Sequence, residues 1–264
     1  MNEVGFAFLL TLLAGLATGV GGLVVMFSKL ENKRILSICL SFAAGVMLYI
    51  SFVEILFKGL EVLEEEFVPG AGYAIGTVAF FAGITVIALI DRLMPHNRPA
   101  EDKSASSEKK ELKRTGIMSA AAIAIHNFPE GFLTFMAAMY DPALGVAVAI
   151  AIALHNIPEG LAMAQPIYYA TGSKKKALAV ATSSGLTEPL GGLFAWFLLS
   201  RLFDDIGIIF GISFAFAGGI MVFVALHQLL PAAKKYGSHN MVMRWLFIGM
   251  AFIAVSLIAL EMVL

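Results

Sequence analysis

Charge is scarce in this chain. Only 14% of its 264 residues are Asp, Glu, Lys or Arg, while 59% are hydrophobic. Mean hydropathy is +0.86. Soluble domains are about a quarter charged, so a water-soluble fold is excluded. An excess of either sign is also missing: 18 basic residues face 19 acidic ones and the net charge is −1. No nucleic-acid partner is expected from such a balance. The single cysteine, Cys39, excludes an internal disulfide and a zinc site built of cysteines. A phosphate-binding glycine loop is absent, which removes ATP as the driving force, and the HExxH pair of zinc hydrolases is absent as well. The first apolar run, from about 4 to 27, lacks a basic leader and follows Glu3, so we read it as a retained helix and not a signal peptide.

What the chain has is long apolar runs. They fall near 4–27, 35–57, 71–90, 116–140, 142–170, 177–199, 206–230 and 245–264. A span of about 20 apolar residues crosses a hydrocarbon core of about 30 Å, whereas barrel strands alternate in pieces of about ten. The expected fold class is therefore all-α: a polytopic membrane protein of eight transmembrane helices, forming one domain over 1–264. If both termini are outside the cytoplasm, Lys29, Lys33, Arg34, the basic residues between Arg92 and Arg114, Lys174 to Lys176, Lys234, Lys235 and Arg244 all fall inside. Only Lys58 and Arg201 are then external, as retention of positive charge in the cytoplasm requires. The polar stretch 94–115 reads as a flexible cytoplasmic loop, and Glu61, Glu64, Glu65 and Glu66 as a solvated outer loop.

Two of these runs carry the same interruption, 29 positions apart: His126-Asn127-Phe128-Pro129-Glu130-Gly131 and His155-Asn156-Ile157-Pro158-Glu159-Gly160. Each His and Glu are four apart and share a helix face. A rise of about 1.5 Å per residue puts both motifs, and Glu188 of Thr187-Glu188-Pro189, about 15 to 20 Å from the membrane edge. Burying ionisable groups there is expensive and marks function. Imidazole nitrogen and carboxylate oxygen are ligands for divalent transition metals. The other explanation, buried polar groups bonded between helices, would bring three carboxylates together with no midplane Lys or Arg to balance them. Pro129 and Pro158 are expected to kink their helices and free the carbonyls of Ile125 and Leu154. Glu54, toward the outer end of the second run, and His227, toward the inner end of the seventh, flank the cluster as candidate entrance and exit.

The paired HNxPEG motifs, the TEP sequence and the eight-helix plan resemble the ZIP (Zrt/Irt-like) family of divalent metal transporters, in its bacterial ZupT-type branch. The resemblance covers essentially the whole chain. It implies a three-plus-two-plus-three arrangement of helices whose outer triplets form an inverted repeat, and a binuclear midplane site. His155, Glu130 and Glu159 would hold one ion; Asn127, Asn156, Glu188 and the same two bridging glutamates would hold the second. His126 matches a position lining the first site or its path, and Met47 one that can add a thioether ligand. The chain departs from many eukaryotic relatives in having no His-rich loop between helices three and four, and Asn156 stands where several relatives carry an acid.

The function expected is secondary transport: uptake of Zn2+, and also Fe2+, Mn2+, Co2+ and Cd2+, across the inner (plasma) membrane into the cytoplasm. The metal is cargo and not a cofactor, the bilayer is the surroundings, and no enzyme activity is expected. The rival readings are a membrane-embedded metal-dependent hydrolase using Glu130 or Glu159 as base, and a proton channel using the His and Glu relay. Faces of small residues such as Ala120 to Ala122 and Gly145 to Ala153 let helices approach closely and leave room for a homodimer.

Overall fold

The structure is a computed structural model that describes residues 2–27, 33–93, 124–125, 127–201 and 206–262. Among the described residues it is all-helical, with eight helical rods and no strand. α1 is Glu3–Phe27. α2 joins an α-helix, Lys33–Tyr49, a π-helical stretch, Ile50–Leu56, and a second α-helix, Phe57–Glu66. α3 is Ala71–Leu93. α4 covers 127–140 and α5 is Pro142–Thr171. α6 has two halves, Lys174–Gly185 and Thr187–Arg201. α7 repeats the pattern of α2, as Ile206–Phe223, π-helical Val224–Leu229 and Leu230–Tyr236. α8 is His239–Glu261.

Six of these rods are long and apolar enough to cross a membrane: α1, α2, α3, α5, α7 and α8. The described part of α4 is short, and α6 is interrupted at Leu186 and opens on three lysines. The chain is an integral membrane protein.

Two helix ends differ from expectation. α2 continues to Glu66, so the acidic residues read as a loop form its last turns. Glu64 accepts from the backbone N–H groups of Gly70 at 2.5 Å and Tyr73 at 3.0 Å, capping the start of α3 instead of standing free in solvent. α8 starts at His239, six residues before the apolar run itself, because an apolar count stops at Arg244 while helical hydrogen bonding does not.

The rods sort into two groups by how they pack. α1 packs most closely on α5 and α6, and α2 on α7 and α8, with α3 laid along α7. Phe8 of α1 meets Phe135 of α4, and Phe128 and Phe132 of α4 meet Phe194 of α6, so α4 belongs with α1, α5 and α6. Within each group backbones touch. A side chain at Gly15 would collide with the Gly185 carbonyl and one at Gly160 with the Thr18 carbonyl; in the other group the same holds for Gly45 on Leu246 and Gly83 on Phe216. Among the described residues every glycine that touches another helix does so inside its own group. The small-residue face of α5 is used within the chain, where Gly145 lies on Ala138, and Ala120 to Ala122 lie outside the described residues. Between the groups, α2 lies against α5, and the buried Met47, Ile50, Leu133, Met136 and Ile152 belong to one continuous apolar cluster.

Candidate metal centre

The centre is set by one tight connection. Asp141 is the only non-helical residue between α4 and α5. Its carboxylate accepts from the Ala143 N–H at 2.8 Å as an N-cap, and Pro142 takes the next position, where a missing N–H costs nothing. Two antiparallel helices therefore leave a shared origin. Glu130 lies roughly 16 Å up one and His155 roughly 20 Å up the other. The motifs consequently pair across helices. His155 Nε2 stands 3.1 Å from Glu130 Oε1.

Glu159, one turn beyond His155, closes the set: one ligand atom from each of Glu130, His155 and Glu159 lies within 4.8 Å of the others. All three are 0% exposed, and no Lys or Arg is buried among the described residues. Two ligand atoms bonded tetrahedrally at about 2.0 to 2.1 Å are about 3.3 Å apart, close to the His155–Glu130 spacing. The arrangement suits a shared cation.

α6 brings the third carboxylate. Pro189 cannot donate to the Gly185 carbonyl and crowds it, and the helix is interrupted at Leu186. Glu188 thereby falls in the first turn of the second half, where the helix dipole favours negative charge. The Ser184 carbonyl, beside the interruption, accepts from Thr187 Oγ1 at 2.6 Å and from Asn127 Nδ2 at 3.3 Å. Asn156 Nδ2 donates to Glu188 Oε1 at 2.5 Å and to the Ala14 carbonyl at 2.9 Å. Each asparagine points its amide at protein and keeps an oxygen, Oδ1, with no hydrogen-bond partner; Glu188 Oε2 is left the same way. Gly131 permits this closeness, since any side chain there would strike the Glu188 backbone.

The family model described as ZIP Zinc transporter matches residues 95–259. The chain is 49% identical to a protein named zinc transporter ZupT from Chlorobaculum parvum, over 97% of this chain and 98% of that one. It is 46% identical to one of the same name from Oceanobacillus iheyensis, over 98% and 100%, and 48% identical to one from Corynebacterium efficiens, over 97% and 98%. The chain belongs to the ZIP family.

Of the ZIP positions expected from sequence, the structure brings Glu130, His155 and Glu159 together, with Asn127, Asn156 and Glu188 beside them. His126 lies outside the described residues. Met47 is fully buried in the apolar cluster where α2 faces α5, and its carbonyl accepts from Ser51 Oγ at 2.6 Å. Glu54 and His227 both sit on the π-helical stretches, of α2 and α7 respectively. His227 is not isolated at an exit: its Nε2 is 3.2 Å from Asp91 Oδ2 on α3, and Gln228 Nε2 donates to Asp91 Oδ1 at 3.1 Å. Sequence reading missed Asp91. A carboxylate beside Arg92 at a helix end looks like solvated surface, but it is 7% exposed and joins α3 to α7. α5 continues as one helix through Pro158 and Pro166, and the interruption in this group falls instead in α6, ahead of Pro189.

Proposed function

We propose that this chain is a secondary transporter that takes Zn2+ from outside the cell into the cytoplasm through the centre shared by α4, α5 and α6. The observation that carries the reading is a fully buried Glu130–His155–Glu159 set with Glu188 beside it and no buried Lys or Arg among the described residues. Cations must come from elsewhere to balance it. The relatives' printed name, zinc transporter, supports Zn2+ as cargo. Nitrogen and oxygen ligands without thiolate discriminate weakly among borderline metals, so Fe2+, Mn2+, Co2+ and Cd2+ are expected to compete.

His155, Glu130 and Glu159 hold the first ion, and Asn127, Asn156, Glu188 and the bridging glutamates a second. The frame is eight transmembrane helices of the inner membrane with both termini outside, α6 and α4 completing the count, and the loop 94–115 in the cytoplasm. The matched π-helical stretches of α2 and α7 support a three-plus-two-plus-three plan with inverted outer triplets. Alternating access is a sliding of α1, α4, α5 and α6 against α2, α3, α7 and α8. Glycine-locked contacts inside each group and their absence between the groups support that motion. Every ligand named comes from one chain, so a homodimer is not needed for the site.

The deciding experiment is 65Zn uptake into proteoliposomes by the wild-type protein and Glu159→Ala, with unlabelled metals as competitors. Saturable uptake lost in the variant is expected. Uptake that survives the substitution, or metal bound without crossing the membrane, sinks the proposal.

A further inference from the structure

Hydroxyls buried in apolar helices have an easy local partner, the carbonyl four residues earlier. Seven Ser and Thr are buried among the described residues, and five of them bond to a backbone carbonyl. Thr11, Ser41, Ser51 and Thr134 take the local option, and Ser37 reaches the Ala233 carbonyl on α7. Thr18 on α1 and Ser184 on α6 do neither: Thr18 Oγ1 and Ser184 Oγ have no hydrogen-bond partner at 0% and 3% exposure.

The reason is on both helices. The Ala14 carbonyl, four residues before Thr18, receives Asn156 Nδ2 at 2.9 Å; the Val180 carbonyl, four before Ser184, receives Ser183 Oγ at 3.0 Å. With its helical N–H each such carbonyl has both lone pairs occupied. The two residues stand where α1 and α6 touch: a side chain on Gly185, next to Ser184, would meet Thr18 Cβ at 3.0 Å. They also stand one turn from the second-ion residues. Ser184 carries the carbonyl that holds Asn127, and Thr18 follows the Ala14 carbonyl that holds Asn156.

We infer that Thr18 and Ser184 are specificity-determining ligands: their hydroxyls join Asn127 Oδ1, Asn156 Oδ1 and Glu188 Oε2 in an oxygen-only site on the α1 side of the centre. The inference rests on the transporter reading and assigns these two residues to its second ion. The two sites then differ in kind. The first offers an imidazole nitrogen and suits Zn2+; the second offers amide, carboxylate and hydroxyl oxygen, the set that suits harder divalent cations of higher coordination number, with Mn2+ as the probe. With the Ala14 and Val180 carbonyls occupied, neither hydroxyl is held in the local bond, and its lone pairs can turn toward an ion.

The test uses the full-length protein in nanodiscs, with Mn2+ binding followed by electron paramagnetic resonance, Zn2+ binding by calorimetry, and melting of the metal-free protein. Thr18→Val and Ser184→Ala are each expected to weaken Mn2+ binding by about tenfold. Zn2+ affinity at the His155 site and the metal-free melting temperature should hold, and Thr18→Ser should bind Mn2+ as the wild type does. Mn2+ binding unchanged in both variants, or Zn2+ and Mn2+ falling together with the melting temperature, overturns the assignment. A wild type that binds Zn2+ and no Mn2+ overturns it too. A wild type that binds neither metal and moves none would instead bring down the transporter reading.

Discussion

Glu130 and His155 come from different copies of the repeated motif, and their contact makes each residue's loss a loss of the shared ion. Glu130→Gln keeps shape and removes the charge; uptake should fall at least a hundredfold while the protein still folds, as checked by proteoliposome flux beside a melting curve. Gly131→Ala is a different kind of lesion. Its methyl would overlap the Glu188 backbone, so α4 and α6 must part. We expect a cost of about 1 to 3 kcal/mol and loss of uptake together. Gly218→Ala, whose methyl would meet nothing nearer than 3.4 Å, should leave both near wild type. Protons compete for the same atoms, because a ligating imidazole must be neutral and a ligating carboxylate ionised. Uptake should therefore decline as external pH is lowered from neutral into the mildly acidic range. A flat flux between mildly acidic and neutral pH would dissociate transport from ligand protonation.

At the scale of the element, α6 is where backbone and chemistry meet. Beside the interruption at Leu186 the Ser184 carbonyl holds Asn127, and Glu188 stands at a helix start. Pro189→Ala restores a donor for the Gly185 carbonyl and allows one continuous helix. The expected result is a protein of equal or higher melting temperature whose Zn2+ uptake is at least tenfold lower, because Glu188 and Asn127 lose their common frame. Full uptake in this variant would mean that Pro189 is not needed to hold Glu188 in place. The π-helical stretches are the other specialised elements. An extra residue per turn rotates side chains relative to an α-helix, and such stretches recur at functional sites. In α7 the stretch turns His227 and Gln228 toward Asp91.

At the scale of the whole molecule, the two groups touch through aromatic rings near the turn between α4 and α5. Tyr140, ending α4, stacks on Phe210 of α7 with centroids 5.3 Å apart, and Phe210 packs on Phe214 at 4.0 Å. A cavity of about 270 Å3 opens beside this contact, lined by Lys58, Glu61 and Glu65 of α2 and by Asp141. If the groups slide, a link across this contact must stop them. In a Cys39→Ser background, Tyr140→Cys with Phe210→Cys joined by a short thiol crosslinker should abolish uptake, and reductive release should restore it. Phe42→Cys with Phe252→Cys, inside one group with ring centroids 5.3 Å apart, should leave flux unchanged when joined. Equal flux through both linked forms would argue for a fixed pore.

Composition and the repeated hexapeptide determined a membrane-embedded helical chain and singled out Glu130, His155 and Glu159, which the fold brings together, because hydrophobic length and costly buried charge are properties a linear sequence carries openly. The pairing of His155 with Glu130 across two helices was decided by the one-residue turn at Asp141 and the packing of α4 on α5. Asp91 was invisible for the same reason: a carboxylate at a helix end declares a partner only once α3 lies along α7. The free hydroxyls of Thr18 and Ser184 depend on who occupies two carbonyls, one of them reached from a helix more than a hundred residues away in the chain. Spacing tells which residues share a helix face. Only the folded arrangement decides which faces meet, since that follows from the backbone approach that glycine permits and from hydrogen bonds between distant segments.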